Sequence, residues 1–339
     1  MIIRIVVALV VVLLGGLGYF IYWGSQPTLD EEAYDRLDEF IKLDPPTGDT
    51  MSVMTFNIGY LSGMTNNTAT PADYGLFQDN LEKAVSLINV YHPNIIGLQE
   101  VDVASKRSYY QNQTDSLAIK AEYPWAFRSV NWDKRYVPFP YWPPKYHFGN
   151  VISGQSVLSD FPLSRPQKLA LQRPDQPFYR DAFYLDRLLQ VVDIDLGDKA
   201  IKLMNVHMEA YDEETRVLQA ERVRRMYELY KDRFAILLIG DFNSSPPGAA
   251  NGSKAMEVLM GAEDIRSAID LLDYEQNPAP HYTFSSATPD RMIDFVLYNE
   301  NFITKVDAKV LSEAGEISDH LPVYFEFFIH KEIGFFRQF

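Results

Sequence analysis

The 339-residue chain has no cysteine, so disulfides, thiolate metal sites and cysteine nucleophiles are excluded. It is short of positive charge, with 31 Lys and Arg against 46 Asp and Glu. Its formal net charge is −15, and a field of that sign does not attract bulk nucleic acid or anionic lipid. No repeat of fixed period is present, which argues against solenoids and propellers. No long polar tract reads as disordered. What the chain has is apolar and aromatic material, 47% and 14% of residues, enough for a sizeable core.

Ile5 to Trp23 carries no charge and is dominated by Val, Leu, Ile and Gly. Crossing the hydrocarbon core takes about 20 apolar residues, so residues 1–23 are expected to form a transmembrane helix. Tyr19, Phe20, Tyr22 and Trp23 cluster at one end, where amphipathic rings favour the headgroup level. Arg4 precedes the run and Asp30, Glu31 and Glu32 follow it. This predicts a single-pass protein with a cytoplasmic N-terminus and an extracytoplasmic domain. A cleaved signal peptide is the competing reading, but Tyr22-Trp23 stands where a small-x-small site would be needed. Residues 24–48 read as a stalk. Thr28-Leu29-Asp30-Glu31 has capping-box spacing, Leu37, Phe40 and Ile41 give a short apolar helical face, and Pro45-Pro46 ends it. The catalytic domain is expected over 49–339.

Within that domain, strands are predicted at 52–58, 95–98, 151–159, 188–194, 201–208, 234–239, 291–298, 303–311 and 321–328. Amphipathic helices are predicted at 77–91 and after Asp212. The mixture suggests a layered α/β domain. Residues 131–149 interleave Tyr136, Phe139, Tyr141, Trp142, Tyr146 and Phe148 with Pro138, Pro140, Pro143 and Pro144. Prolines oppose a regular element there, leaving a rigid loop over the core or an aromatic rim for substrate or membrane.

Four carboxylates sit where an apolar run meets a polar segment: Glu100, Asp241, Asp294 and Asp319. A carboxylate beside a buried run is costly unless it is paired or holds a cation, and oxygen ligands select hard cations such as Mg²⁺. Alone, each has a plain structural reading as a cap, an ion pair or an acceptor, and His207 alone would be a structural histidine. The ordered set carries the weight. It comprises Thr55-Phe56-Asn57-Ile58, Ile96-Gly97-Leu98-Gln99-Glu100-Val101, Gly154-Gln155-Ser156-Val157-Leu158-Ser159 and Asn205-Val206-His207. It continues with Gly240-Asp241-Phe242-Asn243-Ser244, Arg291-Met292-Ile293-Asp294-Phe295-Val296 and Ser318-Asp319-His320-Leu321-Pro322-Val323.

This series, spanning 51–329, resembles the endonuclease/exonuclease/phosphatase (DNase I-like) superfamily. The resemblance implies a four-layer α/β/β/α sandwich with two packed mixed sheets. It implies that Glu100, helped by Asn57 and Asp319, holds Mg²⁺, with Mn²⁺ as a substitute. Asp241 and Asn243 would position the attacking water and the phosphoryl oxygens. His320 would act as general base or bind the phosphate, oriented by Asp294. His207 would donate to a phosphoryl oxygen or the leaving group, so that Asn243 and His207 also bind substrate. Arg180 and Arg187 read first as surface ion pairs and second as phosphate contacts.

The expected function is a membrane-tethered, metal-dependent hydrolase of phosphate esters, acting on lipid headgroups or small phosphoesters. An extracytoplasmic nuclease on DNA or RNA is the alternative, which the net charge disfavours. A binding module with a dead site is the third reading, and the complete residue set speaks against it. No protein partner is predicted.

Overall fold

In the computed structural model, which describes residues 1–330 apart from 71, 198, 250 and 251, the N-terminal apolar run is one continuous helix, α1 (Ile2–Ser25). The final residues of the expected domain, 331–339, lie outside the described residues. Among the described residues, α1 is the helix long and apolar enough to cross a membrane.

The strands are β1 (Asp35–Glu39), β2 (Thr50–Asn57), β3 (Ile95–Asp102), β4 (Trp125–Val137), β5 (Gly149–Ser159), β6 (Leu163–Ala170) and β7 (Leu188–Asp195). They continue with β8 (Ala200–His207), β9 (Ala235–Asp241), β10 (Ile265–Ser267), β11 (Asp294–Asn299), β12 (Ile303–Val310) and β13 (Val323–Ile329). One sheet runs β1-β4-β5-β3-β2-β13-β12 and the other β10-β11-β9-β8-β7-β6. Both sheets are mixed, with β2–β3 and β8–β9 parallel and the remaining pairs antiparallel.

Period-two alternation explains the layers. Met51 and Val53 of β2 face the second sheet, whereas Met54 and Phe56 face outward to α2 (Tyr74–Tyr91) and α3 (Gln113–Lys120). The second sheet is covered outside by α5 (Glu213–Tyr230) and α6 (Lys254–Met260), through Ala220, Val223, Tyr227 and Met256. Two shorter helices, α4 (Phe178–Asp181) and α7 (Leu271–Gln276), sit in connections. This is a four-layer α/β/β/α sandwich. Asp73 and Asp212 cap α2 and α5, accepting from the amides of Leu76 and Thr215, each at 2.8 Å.

Gly97 lets the sheets close on each other: a Cβ there would lie 2.5 Å from Cδ1 of Ile239. Beside it, buried amides join the layers. Gln99 Nε2 donates to Asn205 Oδ1 at 2.6 Å, and Asn205 Nδ2 donates to Gln190 Oε1 at 2.9 Å and to the Leu98 carbonyl at 3.2 Å. Gln155 Nε2 donates to the Asn205 carbonyl at 3.2 Å. Gln99, Gln155 and Asn205 of the sequence series therefore tie the two sheets together beside their apolar core.

Three expectations need correction. The apolar face at Leu37 and Phe40 belongs to no helix: residues 35–39 form β1, an edge strand paired antiparallel with β4. Sheet pairing outweighs weak local helix preference, and its charged residues suit an exposed edge. The stretch 131–149 is only partly irregular, since β4 continues to Val137 against β5 and the prolines act only beyond it. Trp132 and Val137 are buried, whereas Tyr141 and Trp142 are exposed. Arg187 makes no surface ion pair; it is buried in the cleft described below. Strands β4, β6 and β10 lie outside the predicted strands.

The segment after α1 is fastened to the domain. Asp133 of β4 accepts from Thr28 N at 2.9 Å, Thr28 Oγ1 at 2.7 Å, Leu29 N at 2.8 Å and Tyr34 Oη at 3.1 Å. Phe20 and Trp23 of α1 pack on Tyr136, with ring centroids 5.8 and 6.3 Å apart.

Candidate active site

The eight residues singled out from sequence converge at one end of the sandwich, drawn equally from both sheets. Asn57 ends β2, Glu100 lies on a bulge in β3, and Asp319 and His320 precede β13. His207 ends β8, Asp241 ends β9, Asp294 starts β11, and Asn243 follows β9. His207, Asp241 and Asp294 form a row across adjacent strands, because Asp241 pairs in register with both of the others. Glu100 has φ +52°, so the bulge turns its backbone out of the ladder and its carboxylate toward the cleft. Asn243 has φ +47°, and its amide N donates to Asp241 Oδ1 at 2.8 Å.

One cluster gathers around His320. Its Nδ1 is 2.9 Å from Asp294 Oδ2 and its Nε2 is 3.8 Å from Asp241 Oδ2. Asn57 Nδ2 donates to Asp241 Oδ2 at 3.0 Å and lies 3.4 Å from His320 Nε2. Burial pushes the Asp241 carboxyl up; nearby His320 opposes this and Asp294 adds to it, leaving it at about 7. Burial alone would lower the His320 imidazolium, but the charges of Asp294 and Asp241 and the bond to Asp294 outweigh it and hold it well above its ordinary range. This cluster retains protons strongly.

A second cluster holds Glu100 and Asp319. Asn66 Nδ2 donates to Glu100 Oε2 at 2.9 Å and to Asp319 Oδ1 at 3.1 Å. One amide hydrogen-bonding to two carboxylates leaves most of their negative charge uncompensated. Burial and then the charge of Asp319 push the Glu100 carboxyl up. An all-oxygen set of this kind fits a hard divalent cation, which would take the proton's place. Asp241, Asp294 and His320 also bring ligand atoms within 4.8 Å of one another. There the His320–Asp294 hydrogen bond already uses the imidazole Nδ1, so the Glu100–Asp319 pair suits the cation better.

A third group surrounds His207. Arg187 Nη1 lies 2.5 Å from His207 Nε2, and Arg187 Nε lies 3.6 Å from Glu209 Oε2. Glu209 accepts from Tyr184 Oη at 2.7 and 2.8 Å. His207 Nε2 also sits 3.3 Å from Asp241 Oδ2 and 3.9 Å from Glu100 Oε1. Burial, and next the Arg187 charge, lower the His207 pKa well below its usual range, so this ring is neutral.

The sequence reading missed Asn66, Tyr184 and Glu209 as site residues and ranked Arg187 wrongly. Glu209 had a signal, standing two residues past His207 on the same side of an extended segment. Asn66 had none, since it lies in a turn joined to Glu100 and Asp319 only by the fold. Glu100, Asp319, Asp241, Asn243, His207, His320 and Arg187 line a cleft of about 880 Å³ that also reaches Tyr141, Arg180, Phe183 and Tyr211, while Asn57 and Asp294 lie buried behind it.

This chain belongs to the endonuclease/exonuclease/phosphatase family, whose model matches residues 54–320. Members of that family are hydrolases of phosphoesters, among them phosphatases, phosphodiesterases and nucleases, and they typically depend on a divalent metal. The fold is similar to that of an endonuclease/exonuclease/phosphatase protein from Beutenbergia cavernae, with TM-score 0.61 and 19% identity, covering 83% of this chain and 72% of that one. It is similar to the human Nocturnin catalytic domain, solved with a bound sulfate, with TM-score 0.55, 16% identity and coverage of 90% and 99%. A mannosyl-6-phosphatase from Bacteroides thetaiotaomicron gives TM-score 0.55, 16% identity and coverage of 82% and 99%. Among curated proteins, no sequence matches this chain.

Proposed function

We propose that this protein is a membrane-tethered, divalent-metal-dependent phosphoester hydrolase of the phosphodiesterase or phosphatase type. The observation that carries the reading is the meeting of His320–Asp294, Asp241, Glu100–Asp319 and Arg187–His207 around one cleft, from six separate strand ends and turns. Glu100, with Asp319 and Asn57, would hold Mg²⁺, or Mn²⁺ in its place; when bound, the cation withdraws charge from the phosphoryl oxygens.

The chain's own groups divide the remaining work. Asp241, poised at about 7, takes the proton from the attacking water, and Asn243 holds that carboxylate in place. The His320 imidazolium, oriented by Asp294, faces the phosphoryl group and stabilises its growing charge. Arg187 brings a permanent positive charge to the same space, buried among Glu209 and His207. His207 binds beside it as a neutral ring. The anchor is read as an uncleaved single-pass helix with the cytoplasm on its Arg4 side.

The test is hydrolysis of bis(p-nitrophenyl) phosphate by the full chain with Mg²⁺, and its arrest by EDTA. Turnover that survives Glu100→Gln or His320→Ala within a few-fold would refute these roles. A nuclease reading has no specific observation in its favour, because the net charge of −15 opposes long polyanions.

A further inference from the structure

Two features fix the height of the cleft. The aromatic belt of α1, with Tyr19 and Tyr22 exposed and Phe20 and Trp23 half-buried, marks the headgroup level of a bilayer. The same turn of helix touches the cleft wall. Phe20 lies 6.1 Å from Phe183, ring to ring, and a Cβ on Gly24 would stand 3.1 Å from Phe183 Cε1. Phe183 lines the cleft, and its carbonyl accepts from Trp132 Nε1 at 2.9 Å, which joins it to β4. Arg135 lies over the Trp23 ring at 5.8 Å, and Arg135 N donates to the Gln26 carbonyl at 2.9 Å. With Asp133 holding Thr28 and Leu29, the helix end and the cleft wall form one packed unit.

Exposed aromatics accompany the cleft lining: Tyr211 belongs to it, Trp142 follows the lining residue Tyr141, and Phe178 stands two residues before the lining residue Arg180. Trp142 is 79% exposed, Phe178 74% and Tyr211 85%. Tyr141, Arg180 and Tyr211 line the opening itself. Large rings left in water around a polar cleft are costly and suit an interface with one apolar and one wet side. The net charge is −15, so adhesion would come from these rings and from α1 and not from the overall charge.

We propose that the docked helix holds the cleft mouth at headgroup depth, so that the substrate is the phosphoester headgroup of a lipid in the bilayer that carries the protein. This rests on the phosphoester-hydrolase reading and narrows it. The lipid reaches the cleft sideways, with its chains remaining in the bilayer beside Tyr141, Trp142 and Phe178. The bond broken is a P–O ester bond. Water supplies oxygen to phosphorus, and the leaving alcohol takes up a proton.

The absence of cysteine makes a depth measurement direct. The full chain carrying Trp142→Cys, in the β4–β5 connection, or Val306→Cys on β12, at the sheet edge opposite β1, is labelled with an environment-sensitive fluorophore. Each is reconstituted in phosphatidylcholine vesicles containing a nitroxide-headgroup lipid. Strong quenching at 142 and little at 306 is expected. Equal quenching at the two sites, or none at 142, overturns the proposal whatever the enzyme's activity.

Turnover is then compared between vesicle phosphatidylcholine, phosphatidylethanolamine and phosphatidylglycerol on one side and soluble bis(p-nitrophenyl) phosphate on the other. Phe20→Ala with Trp23→Ala should lower lipid turnover roughly tenfold by releasing the cleft from its fixed position, leaving the soluble ester within about twofold. Parallel losses on both substrates overturn the proposal. Hydrolysis of the soluble ester with none of the lipids overturns it while the hydrolase reading stands. Absence of turnover on either removes the hydrolase reading itself.

Discussion

Arg187 Nη1 lies 2.5 Å from His207 Nε2 in the floor of the cleft. A guanidinium has no acceptor and keeps its charge, so it donates and the imidazole nitrogen accepts. His207 is thereby a neutral ring with its proton on Nδ1, in keeping with its lowered pKa. Under the proposed roles, the arginine is the member of this pair that would bring charge to a phosphoryl oxygen. Arg187→Lys should lower kcat/KM by about 10²-fold, the scale for losing one positioned donor to a developing oxyanion. Arg187→Ala should in addition raise the His207 pKa, read by NMR titration. An unchanged His207 titration would show that the guanidinium does not control this ring.

Asp294 acts through His320. Asp294→Asn removes the charge that holds the imidazolium, leaving an amide at the same 2.9 Å position. The His320 pKa should drop, and kcat should fall on the order of 10²- to 10⁴-fold with little change in KM. The NMR titration separates this from a folding defect, which would leave no resolved His320 signal to follow.

Stability of the metal-free protein should fall with rising pH. The Asp241 carboxyl moves from an ordinary 3.8 to about 7, so the folded chain binds this proton more tightly than the unfolded chain does. Its contribution is complete below about pH 4 and is lost as pH rises through about 7. His320, also raised, has the same sign and loses its contribution at higher pH. In EDTA, Tm should therefore decrease between about pH 5 and about pH 8, less so in Asp241→Asn, while His207, whose lowered pKa has the opposite sign, offsets part of the fall below its ordinary 6.5. Added Mg²⁺ should raise Tm by an amount that grows over the same interval, because the cation competes with protons. A Mg²⁺ effect independent of pH would place the cation away from these carboxylates.

Asn205 should matter for stability more than for chemistry. Its side chain accepts from Gln99 and donates to Gln190 and the Leu98 carbonyl, all buried. Asn205→Leu strands several of these partners and should cost about 2–4 kcal/mol in urea unfolding. A loss below about 0.5 kcal/mol would mean that the amide network does not fasten the sheets.

The legible part of this protein was whatever repeats locally. Runs such as Ile96–Leu98 and Leu237–Ile239 announce buried strands by themselves, and α2 and α5 announce their faces. The eight residues that the fold brings together were legible as an ordered set resembling a known family; taken singly, Asn57, Asn243 and His207 carry no signal of a site. Illegible were the elements defined by a partner. Residues 35–39 become a strand only because β4 offers an edge, and Asn66 joins the site only because a turn brings its amide to two carboxylates distant in sequence. Arg187 looked like one more surface arginine, since nothing adjacent in sequence tells that Glu209 and Tyr184 bury it.

The partition of the cleft between the two sheets has a mechanical consequence. Asn57, Glu100, Asp319 and His320 ride on one sheet, and His207, Asp241, Asn243 and Asp294 ride on the other. A slip of one layer past the other by an ångström would leave every strand intact yet separate Asp241 and His207 on one sheet from Glu100, Asp319 and His320 on the other, and with them the roles proposed for the cleft. Catalysis thus serves as a strain gauge for the sandwich, and on gradual denaturation turnover should fade before the far-ultraviolet circular dichroism does.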